Sequence, residues 1–292
     1  MSDVSLAVEI KAKTGESPVW SKSKNALYFV DIVGGTIHCF SPSENRLSRW
    51  DFGQYVGCLA EKRSGGLVVA AQHGIYSFDI ETGGKDLVSD IEAHLPDNRF
   101  NDGAVDSHGR LWAGTMKIPQ IGSGPVGRIY SIDGAYRVRE HLSGLSIVNG
   151  IAFSPDNRTF YAGDTFAEKV WAFDFDADAG IIENRRLFVD FSALPGRPDG
   201  AAVDEDGFYW IATPGGWEIC RFAPNGKLDR RVPMPVEMPT SLAFGGEKND
   251  KLFITSLSGK ISTGTEDRQP LAGSVFVYEP GVCGAPVYNF AG

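Results

Sequence analysis

Between residues 98 and 116 the chain reads NRFNDGAVDSHGRLWAGTM. Arg99, Asn101 and Asp102 (a fork of N–H donors, an amide and a carboxylate) stand directly before a glycine and a strand-forming run that closes on Trp112. Groups of these types can ligate an oxygen-seeking cation or orient a polar substrate. The arrangement recurs. NGIAFSPDNRTFYA from Asn149 and DGAAVDEDGFYWIA from Asp199 each begin on an amide or carboxylate followed by Gly, then an apolar run, a polar turn and a strand carrying aromatics. Weaker copies start at Glu16 (ESPVWSKSKNALYFV), Val56 (VGCLAEKRSGGLVVA) and Thr240 (TSLAFGGEKNDKLFI).

What must position these residues follows from the repeat. Units recurring at about 40 to 50 residues have the period of β-propeller blades. After each aromatic strand comes another short alternating run ending in a turn, as in GIYSFDIETGGKDLV and GRIYSIDGAYRVREH, so each unit supplies four short strands. No segment keeps a capped, amphipathic 3.6-residue pattern over three turns. The expectation is an all-β fold, a six-bladed β-propeller of four-stranded blades around a central channel, with residues 1–292 forming a single domain. The N-terminal run VSLAVEIK is a spare strand able to latch onto the last blade, whose own strands are placed in KLFITS, GSVFVYEP and APVYNF.

In a propeller the innermost strand of every blade starts at one rim of the channel, so the first positions of the six units face a common point. These are Glu16, Val56, Asp102, Asn149, Asp199 and Thr240, and only Val56 among them cannot coordinate or hydrogen-bond. A ring of buried oxygens is costly unless something positive satisfies it. A divalent cation is one solution. Oxygen ligands without thiolate or imidazole suit Ca²⁺ first, with Mg²⁺, Mn²⁺ or Zn²⁺ as alternatives. Strand-end caps bonded to backbone amides are another solution, and the pattern leaves both open.

Bulk properties exclude other classes. With 28 Lys and Arg against 37 Asp and Glu the net charge is −9, and no basic stripe offsets it, which argues against nucleic acid as a partner. The start MSDVSLAVEIKAKTG lacks a secretory pattern and no apolar run reaches the length of a membrane span, so a cytoplasmic location and no membrane partner are expected. Cys39, Cys58, Cys220 and Cys283 form no paired motif and read as reduced thiols. GSGPVG at 122–127 lacks the strand–turn–helix context of a dinucleotide cradle, DFDADAG at 174–180 misplaces the Gly of a calcium loop, and no Ser lies in G-x-S-x-G. Oligomeric state is not legible from these patterns.

The segments GESPVW, YFVDI, NRFNDGAVD with GRLWAGTM, NGIAFSPD, PDGAAVDEDG and PTSLAFGG resemble the family of senescence marker protein, regucalcin and gluconolactonase. That family is built of six-bladed propellers, many of them metal-dependent sugar lactonases. The resemblance implies that Glu16, Asn149 and Asp199 are metal ligands, and that Arg99 and Asn101 hold the substrate. The implied ligands coincide with three of the six ring positions. The expected function is therefore a metal-dependent hydrolase opening a small-molecule sugar lactone, with Asp199 also serving as base for the attacking water and Arg99 and Asn101 donating to the lactone. Lys117 and Arg197 flank the site motifs, which suggests a substrate carrying an acidic group, although rim ion pairs would account for them as well. Asp164 reads equally as a group orienting the site or as a solvated loop acid. The competing functions are a related propeller esterase or phosphotriesterase and a non-catalytic calcium-binding propeller.

Overall fold

The computed structural model describes residues 4–118, 124–259 and 261–292. Positions 122 and 123 of the GSGPVG sequence, with the preceding residues 119–121, lie outside that set. The described chain forms six four-stranded sheets, every pairing antiparallel, arranged as a six-bladed β-propeller. The inner strands are Gly15–Ser21, Val56–Glu61, Asn98–Val105, Val148–Phe153, Ala201–Val203 and Pro239–Gly245. Each begins within four residues of the start of one of the sequence repeats. A single 3₁₀ turn, Glu266–Arg268, is the only helical element among the described residues.

Ring closure follows the expected latch, with one correction. Ser5–Val8 pairs with Val275–Tyr278 as the outermost strand of the sixth blade, completing Pro239–Gly245 and Lys251–Ser256. The segment APVYNF is not a strand. Its Pro and the short spacing to the preceding strand leave it outside the ladder, and it makes isolated bridges instead. The Ala285 amide donates to the Val203 carbonyl (3.0 Å), the Phe290 amide to the Glu61 carbonyl (2.8 Å) and the Ala291 amide to the Gly109 carbonyl (2.9 Å). The C-terminal residues therefore cross the base of the channel from the fifth blade to the second and third. Phe290 is fully buried at the end of the crossing.

The core is divided into six wedges, one between each pair of neighbouring blades. Tyr28, Val30 and Ile37 of the first blade pack on Val56, Val69 and Tyr76 of the second, and Trp112 and Ile129 of the third pack on Phe160 and Phe173 of the fourth. The aromatic of the repeat has a polar tie as well. Trp112 Nε1 donates to Asp106 (2.8 Å) and Trp210 Nε1 donates to Asp204 (2.9 Å), each six residues earlier, so a buried indole N–H and the turn carboxylate satisfy one another.

At the rim where the ring residues lie, the inner strands depart from regular pairing. Register shifts occur between Glu16 and Val19, Phe100 and Gly103, Asn149 and Ala152, and Pro239 and Leu242. In each case two residues oppose one, as in a β-bulge, which re-aims the side chains beside it. The small residue after the ring position is what lets the strands converge. A Cβ on Gly200 would stand 2.1 Å from Ser241 Oγ, and one on Gly150, whose φ is +61°, would stand 2.3 Å from the Tyr209 hydroxyl oxygen.

Candidate active site

Four ionisable groups from three blades gather at and just below the rim. Burial, and then the Asp102 charge, push the Glu16 carboxyl up to about 8; the Ser17 amide, 3.2 Å from Oε2, Arg99 and Ser241 oppose the shift. Asp199 is raised well above its ordinary value by burial and by the charges of Glu16 and Asp102. Asp102 is raised to about 7 by burial, against backbone N–H bonds that include Ile151 at 2.8 Å. Arg99 is the only cation among the four, lowered to about 10 by burial while Glu16, Tyr55 and Asp199 support its charge.

Three carboxyls against one guanidinium leave an excess of negative charge when all are ionised. Buried acids resist ionisation unless a positive group arrives, and an oxygen-only donor set fits a hard divalent cation. Among the described residues no group of three or more His, Cys, Asp and Glu side chains is arranged to hold a metal. The trio Glu16, Asn149 and Asp199 differs from such a group in having an amide as its third member.

Asn149 is held from both sides. Its Nδ2 donates to Thr165 Oγ1 (2.7 Å), and its Oδ1 accepts from Asn101 Nδ2 (2.8 Å). Asn101 Nδ2 also donates to the Val148 carbonyl (2.9 Å), and Asn101 Oδ1 accepts from Arg99 Nη1 (2.7 Å). Both amide hydrogens of Asn101 are thus committed within the protein, which differs from the expectation that it donates to a substrate. Arg99 Nη1 donates in addition to the Phe100 carbonyl (2.8 Å), leaving Nε and Nη2 for other acceptors.

The other expected residues fall out as follows. In the third blade the bulge takes in Asn101 and Asp102, so Asp102 sits further along its strand than Glu16 and Asn149 do in theirs. There it lines the channel below the rim with Ser17, Ile151 and Ser241. Val56 is buried in the wedge between the first two blades, and Thr240 Oγ1 donates to the Gly15 carbonyl (2.5 Å), so each has a structural place. Lys117 ends the second strand of the third blade opposite Asn98, one pair beyond Arg99–Met116. Strand alternation sets it on the face opposite to Arg99. Arg197 pairs with Glu168 (3.3 Å) and lies 5.1 Å from the Phe166 ring centroid.

Asp164 is buried, not solvated. Its oxygens accept the amides of Ser146 (2.8 Å) and Phe166 (3.1 Å), pinning the connections into and out of the hairpin that carries Asn149. Thr165, which the motifs did not single out, follows it. Hairpin register was the available signal, because Val148 pairs with Asp164 and Asn149 with Gly163. Glu92 was missed for want of any local signal: it reaches the third blade through Asn98 (2.9 Å) and the Tyr130 hydroxyl (2.9 Å) and braces the start of the strand carrying Arg99.

Comparison with known proteins agrees with this architecture. A family model described as SMP-30/Gluconolactonase/LRE-like region matches residues 14–258. The chain is 35% identical to a 6-deoxy-6-sulfogluconolactonase of Pseudomonas putida, over 95% of each chain. It is 33% identical to regucalcin of Danio rerio over the whole of both. A solved structure of a calcium-binding protein, regucalcin, from Agrobacterium tumefaciens superposes with a TM-score of 0.91 at 25% identity, covering 98% of this chain and 96% of that one. No helix among the described residues is long and apolar enough to cross a membrane. The chain belongs to the SMP-30/gluconolactonase/LRE-like family.

Proposed function

We propose that this protein is a metal-dependent lactonase that opens a sugar lactone to its free acid. The observation that carries the reading is the gathering of two buried carboxyls at the propeller rim beside Arg99: Glu16, raised by burial and the Asp102 charge, and Asp199, raised by burial and the Glu16 charge. Glu16, Asn149 and Asp199 would hold one divalent ion, Ca²⁺ by ligand type, which when bound polarises a carbonyl and acidifies water. Asp199 then takes the proton of the attacking water. Arg99, through its uncommitted Nε and Nη2, donates to the oxygen on which negative charge develops; losing such a donor costs about 2.7–4 kcal/mol. Asn101 serves this step indirectly, holding Arg99 and Asn149 in register.

The test is hydrolysis of a panel of aldono- and aldarolactones followed with a pH-sensitive dye. We expect loss of turnover on chelation and a fall of at least about 100-fold in Asp199→Asn. Undiminished turnover in rigorously metal-free protein would falsify the reading, and so would phosphotriester turnover above lactone turnover. Calcium binding with no hydrolysis of any lactone would favour the non-catalytic alternative.

One observation favours a narrower substrate. A relative 35% identical is named as acting on a sulfonated gluconolactone. Arg197, two residues before Asp199, is half exposed, and its recorded ion pair uses only Nε, leaving a terminal fork suited to an oxyanion. The same panel should then show higher kcat/KM for lactones bearing a sulfonate or carboxylate. Equal rates for neutral and acidic lactones, unmoved by Lys117→Ala or Arg197→Ala, refute that preference.

A further inference from the structure

Arg99, Asn101, Asn149, Thr165 and the Pro198 carbonyl form one hydrogen-bonded run across the third, fourth and fifth blades. Its direction is forced at both ends. A guanidinium only donates, so Asn101 turns its oxygen to Arg99 and its NH₂ towards Asn149. A carbonyl only accepts, so the single proton of the Thr165 hydroxyl goes to Pro198 (2.9 Å), and the same hydroxyl must accept from Asn149 Nδ2 (2.7 Å). The Asn149 amide therefore has one permitted orientation, with Nδ2 towards Thr165 and Oδ1 on the other side. That oxygen accepts one bond from Asn101 and keeps a second lone pair.

We propose that Thr165 is a positioning residue for the ion, locking the Asn149 amide so that its oxygen and not its NH₂ is offered beside Glu16 and Asp199. This rests on the metal-site reading above. A flipped amide would place N–H groups against a cation and leave two acceptors, the amide oxygen and the committed hydroxyl, facing each other. Thr165 also joins the Asn149 hairpin to Pro198, the residue before Asp199, so one hydroxyl sets the relation between two proposed ligands. Its side chain is buried at the junction of two blades.

The test is calorimetric titration of metal-stripped protein with Ca²⁺. Thr165→Val, which keeps the shape and removes the hydroxyl, should weaken binding about 10- to 100-fold, the usual effect of losing a partner that orients a ligand. Thr165→Ser should stay within about threefold of the parent on that scale. The effect should vanish in an Asn149→Asp background, because a carboxylate presents an oxygen whichever way it turns; this cycle separates orientation from general damage to the fold. Parent-like affinity in Thr165→Val while Glu16→Gln has lost binding overturns the role of Thr165 and leaves the site intact. An equal loss in the Asn149→Asp background overturns it too, by assigning Thr165 to the fold alone. Parent-like affinity in Glu16→Gln overturns the site, and the role of Thr165 with it.

Discussion

Arg99 shows how much a single side chain is asked to do at this rim. Its Nη1 holds the Phe100 carbonyl and Asn101, its charge opposes Glu16 and Asp199, and two of its nitrogens remain for a ligand. A lysine keeps the charge but not the planar fork, so the substitution is not conservative. We expect Arg99→Lys to lower kcat/KM for the preferred lactone about 10- to 100-fold, the equivalent of losing a hydrogen bond made by a charged group. Steady-state kinetics that match the parent would remove the fork from the account. Repeat spacing placed Glu16, Asn149 and Asp199 among six ring positions, and the family resemblance singled them out as ligands, with Arg99 and Asn101 to hold the substrate. What neither could convey is how many hydrogens each group has already committed. Asn101 was read as a substrate donor for that reason, and Thr165 escaped notice because its importance lies in a bond direction.

At the level of the strand, the decisive features are the bulges near the ring positions of four inner strands and the small residue that follows each ring position. Asp-Gly and Asn-Gly dipeptides were visible as starts of the repeats, but the pattern did not convey the close approach at Gly200, where a Cβ would meet Ser241 of the next blade. Gly200→Ala would press a methyl group to 2.1 Å from Ser241 Oγ and 2.8 Å from the Ser241 Cα. The segment carrying Asp199, just before the strand Ala201–Val203, must then move. The expected cost is about 1–3 kcal/mol of stability, typical of overpacking, together with weaker calcium binding under the metal-site reading proposed above. Chemical denaturation and the same titration measure the two, and an unchanged midpoint would show that the strands have slack the geometry does not suggest. The misplacing of a strand at APVYNF has a similar origin. Alternating apolar residues were counted as a ladder, but the N-terminal latch already fills the edge position.

For the molecule as a whole, two buried histidines outside the rim cluster should contribute to the pH dependence of stability. Burial lowers His38 and His141 to about 4 each; His38 shares a hydrogen bond with Thr36 (2.8 Å), and His141 shares one with Ser131 (2.7 Å) and stacks on Trp112. The folded protein keeps both rings neutral, whereas the unfolded chain protonates them near the ordinary 6.5. Their contribution is therefore complete above about pH 6.5 and declines as pH falls towards about 4. Glu16 and Asp102, raised to about 8 and about 7, act in the opposite sense over the same range. The histidine contribution is therefore read as a difference. In urea unfolding at pH 7, 6, 5 and 4.5, His141→Phe should lose less stability than the parent, or gain more, as pH falls; parallel curves for the two would assign the pH dependence to other groups. The propeller itself was legible because its repeat, latch and aromatic spacing all point to one architecture, while the base crossing by residues 283–291 has no repeat to announce it.

That crossing decides how traffic through the protein must run. Ala285, Pro286, Val287 and Tyr288 floor a central cavity of about 160 Å³ whose walls come from all six inner strands. Of the rim cluster only Asp102 lines this cavity, so the segment lies across the channel on the side away from Glu16, Asn149 and Asp199. Under the lactonase reading, the sugar acid then departs by the opening on the site's own side, the one its parent lactone used.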